Sequence, residues 1–369
     1  MKLLADYGQI LNAVGDINPI AYAKNRNYLD GNVSYLSPYI SRGIISTKQI
    51  ARRLFKIGFN FEESEKYMQE LAWRDYWQLV WKNKLSLINK DLKRSQNQVE
   101  NFEIPAAVDQ AKTRIKAIDD GILELFNTGY MHNHMRMYVA AICCNVGKSH
   151  WLEPAKWLYY HLLDADWGSN ALSWQWVAGS NSNKKYFANQ ENINKFTYSN
   201  QKETFLDKPY EDIKDANCPE ALKVTHIPHL KTELPENLPL RIKRNQNTLI
   251  YNFYNLDQNW RKNENANRIL LLEPSHFEDY PICQRSLDFM IQYAKKNISD
   301  IQIYSGDFKD FKKQYDIDCV ISKEHPFNKH LNGIIDERDW MFTDQTLFPS
   351  FFKFWNHNKK ELKKWMINQ

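Results

Sequence analysis

The chain has 369 residues, enough for one large or two ordinary domains. Hydrophobic residues make up 43% and charged residues 25%, the balance of a soluble globular protein, and 12 Trp, 20 Tyr and 19 Phe make it aromatic-rich. No stretch approaches the ~20 consecutive apolar residues of a membrane span, and the opening Met1-Lys2-Leu3-Leu4-Ala5-Asp6 turns polar too early for a signal peptide. Membrane, fibrous and disordered classes are thereby excluded. Residues 1–205 carry 25 Lys and Arg against 20 Asp and Glu, while the remainder carries 24 against 24, so the first part holds the whole net charge of +5. That bias permits a polyanionic partner without requiring one. The five cysteines, Cys143, Cys144, Cys218, Cys283 and Cys319, form no C-x-x-C pair. An odd count without that spacing argues against a disulfide framework or a zinc site and fits a reducing cytoplasm.

From Gln9 to about Lys202 the periodicity is helical and shows no strand alternation. Ser46 is a candidate N-cap for a helix over Thr47–Ile57, and longer patterns follow over Glu65–Lys84, Thr113–Phe126, Asn133–Val146 and Trp151–Leu163. Asn127-Thr128-Gly129 reads as a helix stop, and the adjacent Cys143 and Cys144 as core thiols. Pro209, Pro219, Pro228, Pro235 and Pro239 then mark an extended linker over 206–245. Beyond it, strand-like runs at Thr248–Tyr254, Arg268–Leu272, Ile301–Tyr304 and Cys319–Ile321 alternate with helix candidates at Pro281–Lys295 and Phe308–Gln314. This alternation predicts a small parallel, Rossmann-like α/β domain over 246–369, closed by a basic, aromatic helix over Phe348–Met366. The expected architecture is an all-helical domain over 1–205 followed by that α/β domain.

Four segments of the helical part carry more than packing requires. Gly31-Asn32-Val33-Ser34-Tyr35-Leu36-Ser37-Pro38-Tyr39 can cap a helix or hold phosphate with hydroxyls and free N–H groups. In Glu70-Leu71-Ala72-Trp73-Arg74-Asp75-Tyr76-Trp77, the carboxylate and two tryptophans share one helix face. An aromatic stripe suits a core, but a carboxylate on that face needs a partner. Thr128-Gly129-Tyr130-Met131-His132-Asn133-His134-Met135-Arg136-Met137 sets Asn133, Arg136 and Met137 on one face, while His132 and His134 point apart, a poor spacing for a shared metal. Asp164-Ala165-Asp166-Trp167-Gly168-Ser169-Asn170, running on to Trp174-Gln175-Trp176, crowds two carboxylates, an amide and tryptophans at a helix end. The Asp pair taken alone is equally a capping element.

Together and in this order, the four segments resemble the flavin-binding domain of the cryptochrome/photolyase family over roughly residues 20–190. Its patterns are T-S-x-L-S-P, E-x-x-W-R-x-x-[YW], T-G-[WY]-M-H-N-x-x-R-M and D-x-D-x-x-x-N…W-Q-W. The resemblance implies bound FAD, with Tyr22, Ser34, Leu36 and Ser37 at the phosphates and Arg74, Asn133, Arg136, Asp164, Asp166 and Asn170 around the ring system. Val33 replaces a threonine of the pattern. Arg136 and Asp164 would form an ion pair beside the flavin, and Asn170 would face N5. Trp73 and Trp176 match residues that stack on a flipped pyrimidine dimer, Glu70 one that bonds its bases, and Asn133 and Met137 its neighbours. Trp174 and Trp151 match the first two members of an electron-transfer chain. Its distal position falls near Gln96–Phe102, where there is no Trp, so either the exit falls to another aromatic such as Trp157 or a tyrosine, or photoreduction is impaired. The usual R-x-F-N-P after the last Trp is replaced by Ala188-Asn189-Gln190-Glu191-Asn192, with Lys184 and Lys185 nearby.

The implied function is a deoxyribodipyrimidine photolyase, repairing cyclobutane pyrimidine dimers in UV-damaged DNA by electron transfer from reduced FAD. The alternative is a cryptochrome-like blue-light receptor that binds FAD and signals to a protein partner. Leu249–Asp257, Leu271-Leu272-Glu273-Pro274 and Phe348–Trp365 resemble the family's antenna domain, which normally precedes the flavin domain. The chain is therefore expected to be circularly permuted, with room for a second chromophore of unknown identity.

Overall fold

Local signals start and stop most helices. In this computed structural model, residues 3–317 and 319–367 are described. Met1, Lys2, Asp318, Asn368, Gln369 and the side chains of Met366 and Ile367 lie outside the described residues, and with them the first two residues of the amino-terminal reading. Helix α1 is Thr47–Lys56, α2 Phe61–Lys84, α3 Lys116–Thr128, α4 Asn133–Ala141, α5 Leu152–His161, α6 Trp167–Ala178, α7 Gln284–Asn297, α8 Phe308–Gln314 and α9 Phe351–Ile367. The strands of the larger sheet are β1 Asn247–Tyr251, β2 Ala266–Leu272, β3 Ile301–Ser305, β4 Val320–Lys323 and β5 Ile334–Asp336.

Ser46 caps α1 as expected, in a reciprocal box with Gln49. Helix α2 begins four residues earlier than its apolar pattern. Asn60 and Glu63 exchange side-chain-to-backbone bonds of 2.8 and 2.9 Å, which satisfy the first free N–H groups. Helix α3 begins later than expected because Asp119 accepts from the backbone of Thr113 and Arg114 and holds them in a turn. Gly129, at φ 72°, ends it in the left-handed conformation that glycine adopts without steric cost. The pattern expected as one helix over Asn133–Val146 is α4 followed by a π-helical turn, Ile142–Val146, in which both adjacent cysteines are buried.

The five strands form one parallel sheet in the order β3-β2-β1-β4-β5, a doubly wound arrangement whose order reverses between β1 and β4. Leu249 pairs with Arg268 on one side and Ile321 on the other. Strand β2 is buried throughout, with the apolar run Ile269–Leu272 packed between two neighbours and the buried Asn267 and Arg268 hydrogen-bonded to backbone carbonyls. Ile250, Ile269, Leu271, Tyr304, Phe308 and Phe311 build the core beneath it. Strand β5 was not expected. Ile334 and Ile335 are exposed and pair only with β4, so no alternation marks them. The crevice between β1 and β4 is packed with side chains. Tyr254 stacks on His325 at 4.1 Å, and Asn252 donates to Asn328 at 2.6 Å.

Packing divides the chain into two units, residues 1–23, 33–83 and 231–369 in one and 24–32 with 84–230 in the other. In the first, helices of the amino-terminal half pack with the sheet. Buried Asp75 of α2 accepts from Thr47 Oγ1 at 2.9 Å and Met341 N at 2.7 Å, and Trp81 meets His325 and Phe327 edge-on. The second holds α3 to α6. The proline-rich span 206–245 is tied to both by hydrogen bonds. Thr225 and His226 pair antiparallel with Ile104 and Pro105 in the second unit, and Thr232 and Asn237 bond to Ile282 and Ser305 in the first. No helix among the described residues is long and apolar enough to cross a membrane.

Candidate functional site

In the second unit, the turn-helix segment and the Asp-rich segment converge. Gly129 closes α3 and its carbonyl accepts from Leu163 N at 2.9 Å, which ties the start of one segment to the start of the other. His132 caps α4, its Nδ1 accepting from His134 N at 3.2 Å. Burial pushes the His132 imidazole down to about 4, so it is neutral at pH 7. His134 turns to another face, its Nδ1 2.9 Å from the Asn27 carbonyl.

One turn along α4, Arg136 donates from Nε to the Met131 carbonyl at 2.8 Å and from Nη1 to Asp164 Oδ2 at 3.0 Å. The first bond fixes the plane of the guanidinium, and the second joins it to a carboxylate that is nearly buried. Asp166 caps α6, accepting from Ser169 N at 3.0 Å, so the capping reading of the Asp pair holds for this member. Asn170 lies in the first turn beyond that cap. Its Nδ2 donates to the Ala155 carbonyl at 2.7 Å, which leaves the amide oxygen as an acceptor. Asn133 is exposed at the start of α4, Met137 is half-buried, and Trp176 is exposed.

Trp174 and Trp151 are buried. Gln175 between the two tryptophans of W-Q-W is wholly buried and braces the segment after α2, donating to the Ile88 carbonyl and accepting from Leu92 N. The Ala188–Asn192 departure is structural here. Asn189 caps the helix Gln190–Thr197, and Asn192 accepts from the Tyr138 hydroxyl. Lys185 is committed to the Asn97 carbonyl and Gln98, while Lys184 is exposed.

The first unit carries the remaining candidates. Tyr67, which sequence reasoning passed over, is their hub. Tyr22 meets its ring edge-on at 4.9 Å, and Ser34 and Arg74 face its hydroxyl, moderating a pKa that burial pushes up to about 12. Leu36 is buried and Ser37 half-buried beside it in sequence. Glu70 has the partner its position requires, pairing with Lys66 at 2.8 Å. Trp73 meets Trp77 at 4.9 Å and lies against Phe351 of α9 at 3.7 Å. Phe351 carries no local signal that could have assigned it there.

The donor set in the second unit fits a flavin. A planar cation held by a carboxylate, with an amide oxygen one helix away, matches an edge that alternates carbonyl and N–H groups.

Residues 67–219 match the family described as the FAD binding domain of DNA photolyase. A deoxyribodipyrimidine photo-lyase of Alkalihalophilus pseudofirmus is 27% identical over 161 residues, covering 42% of this chain and 34% of that one. Cryptochrome-1 of Sinapis alba is 30% identical over 188 residues, covering 47% and 37%. The chain thus spans about a third of the length of these relatives. A solved cryptochrome of Synechocystis superposes with a TM-score of 0.47 at 21% identity, covering 53% of this chain and 44% of that one.

Proposed function

Because the chain belongs to the cryptochrome/photolyase family through residues 67–219, we propose that it binds FAD and repairs cyclobutane pyrimidine dimers in UV-damaged DNA under blue light. The observation that carries this reading is the Arg136–Asp164 pair together with Asn170, whose amide nitrogen donates to the Ala155 carbonyl. Arg136 and Asp164 orient the polar edge of the ring system. The Asn170 oxygen offers an acceptor to the N5–H of a reduced flavin, which favours the form that donates electrons. Bound and reduced, FAD supplies the light-driven electron that splits the dimer.

Asn133, Asp166, Tyr22, Ser34, Leu36, Ser37 and Arg74 complete the FAD set by resemblance. Glu70, Trp73, Asn133, Met137 and Trp176 are assigned to the lesion, which has to leave the duplex to reach stacking aromatics. Trp174 and Trp151 are assigned to the relay that refills the flavin with electrons. The C-terminal sheet is read as a displaced antenna domain.

The second reading is a blue-light sensor that keeps FAD and signals through a protein partner. One contact favours it, since the ring of Trp73 is already stacked on Phe351. Repair of a dimer-containing oligonucleotide by reduced protein under blue light, against a dark control, separates the two. Light-dependent restoration of thymine supports repair, and bound FAD without repair moves the protein to the sensor class.

A further inference from the structure

Trp151 has no accessible surface, so a positive charge created on its indole has no direct contact with water. Its Nε1–H donates to Asp91 Oδ1 at 2.8 Å. The other carboxylate oxygen accepts from Gln96 N at 2.8 Å, and Gln96 in turn accepts from Trp151 N and donates to the Ser149 carbonyl. Asp91 is thus held against the indole by a closed ring of hydrogen bonds. His150 completes the surround. Its Nδ1 accepts from Leu152 N, which directs its Nε2 toward Asp91 Oδ1 at 3.5 Å. Asp91 and His150 keep some accessible surface, and the exposed Phe102 stacks on His150 at 5.2 Å. Cys144, buried and held as a thiol, lies within electrostatic reach of Asp91, and Glu153 within reach of His150.

We propose that Asp91 is the proton acceptor that ends the electron relay at Trp151, in place of a third tryptophan. This rests on the relay assigned to Trp174 and Trp151 above. Trp151 gives one electron to oxidised Trp174, whose own electron has gone to the photoexcited flavin. The oxidised indole is a far stronger acid than the neutral one, and its N–H proton passes along the 2.8 Å bond to Asp91. The products are a neutral tryptophanyl radical and a neutral carboxylic acid, so charge and proton balance. An external one-electron reductant such as a thiol later restores Trp151, which takes its proton back from Asp91. Loss of the proton removes the charge that would otherwise draw the electron back.

The test follows the tryptophan radical itself, by transient absorption and electron paramagnetic resonance, in FAD-loaded protein. Wild type is expected to form the deprotonated radical, more slowly in heavy water. Asp91→Asn keeps an acceptor for the indole and loses the base. It is expected to hold the radical in its protonated form and to lower the photoreduction yield about tenfold. Asp109→Asn is the control, because Asp109 accepts from Trp157 at 2.7 Å in the same manner. It is expected to change nothing. A deprotonated radical formed at the wild-type rate in Asp91→Asn, or no heavy-water effect in wild type, overturns the proposal. If Trp151→Phe blocks photoreduction in that case, the relay stands and Asp91 alone is wrong. Unchanged photoreduction in Trp151→Phe overturns the relay and the proposal together, and loss in Asp109→Asn moves the exit to Trp157.

Discussion

Phe351 lies face to face on Trp73, with ring centroids 3.7 Å apart and planes 11° from parallel. Phe351 is buried, and the Tyr76 hydroxyl donates to the Phe348 carbonyl just before α9 begins, so the contact is anchored at both ends. The residue assigned to stack on a lesion therefore has one ring face covered by its own chain. Trp73→Ala is expected to weaken binding of dimer-containing DNA by ~1–3 kcal/mol, the usual worth of a base–aromatic stack. Phe351→Leu, which removes the ring and keeps an apolar side chain, is expected to leave that binding intact or tighten it. Equal binding by wild type and Trp73→Ala in a titration defeats the lesion assignment and makes Trp73 a packing residue of α2 against α9.

Asn170 is the next test, because its two amide atoms have different duties. Asn170→Asp keeps the shape and replaces the donor facing the Ala155 carbonyl with an acceptor. Two acceptors 2.7 Å apart repel, so a loss of ~1–3 kcal/mol in unfolding free energy is expected. A carboxylate at this place also opposes added electron density on the flavin. The resting absorption spectrum should shift toward oxidised FAD. A variant that unfolds like wild type and keeps its spectrum removes Asn170 from the site.

The parts that were legible in the sequence are those whose causes lie within a few residues. Ser46 and Gln49 are three apart, Gly129 stops α3 by its own conformation, and four strands announce themselves as apolar runs between turns. The Arg136–Asp164 pair was reached through the resemblance, since nothing local links positions 28 apart. What escaped depends on contacts between distant segments. Phe351 on Trp73, Met341 on Asp75 and Trp151 on Asp91 leave no periodicity, because each partner looks ordinary in its own stretch. The packing units do not follow the linear order of the segments for the same reason. Composition reports a linker, but not that α1 and α2 pack with the C-terminal sheet.

His132 gives a prediction in pH. Burial depresses its folded pKa from 6.5 to about 4, so the folded state resists the proton that the unfolded state accepts. Stability is therefore fully present above pH 6.5 and is lost as pH falls from 6.5 toward about 4. At ~1.4 kcal/mol for each pH unit between 6.5 and about 4, this single, almost fully buried group accounts for about 3–4 kcal/mol. His132→Asn retains a capping oxygen at the start of α4 and has no charge to gain. Urea unfolding at pH 7 and pH 4.5 should show a smaller difference between the two pH values in the variant than in wild type. An equal difference assigns the acid sensitivity elsewhere.

Trp174 separates the relay from repair. It stands one turn after Asn170 on α6 and is buried, with Gln175 beside it fixed at both ends by backbone bonds. Trp174→Phe preserves an aromatic ring in that packing but raises the cost of removing an electron from it. Photoreduction of FAD-loaded protein should slow at least about tenfold, which corresponds to ~1.4 kcal/mol in the barrier. Repair by chemically reduced protein should be unchanged, since the electron that splits a dimer does not travel through Trp174. Loss of both activities points to a displaced flavin, which the FAD content of the purified variant reveals. Unchanged photoreduction refutes the relay and sends the search for the electron donor to the other buried tryptophans, Trp157 and Trp167.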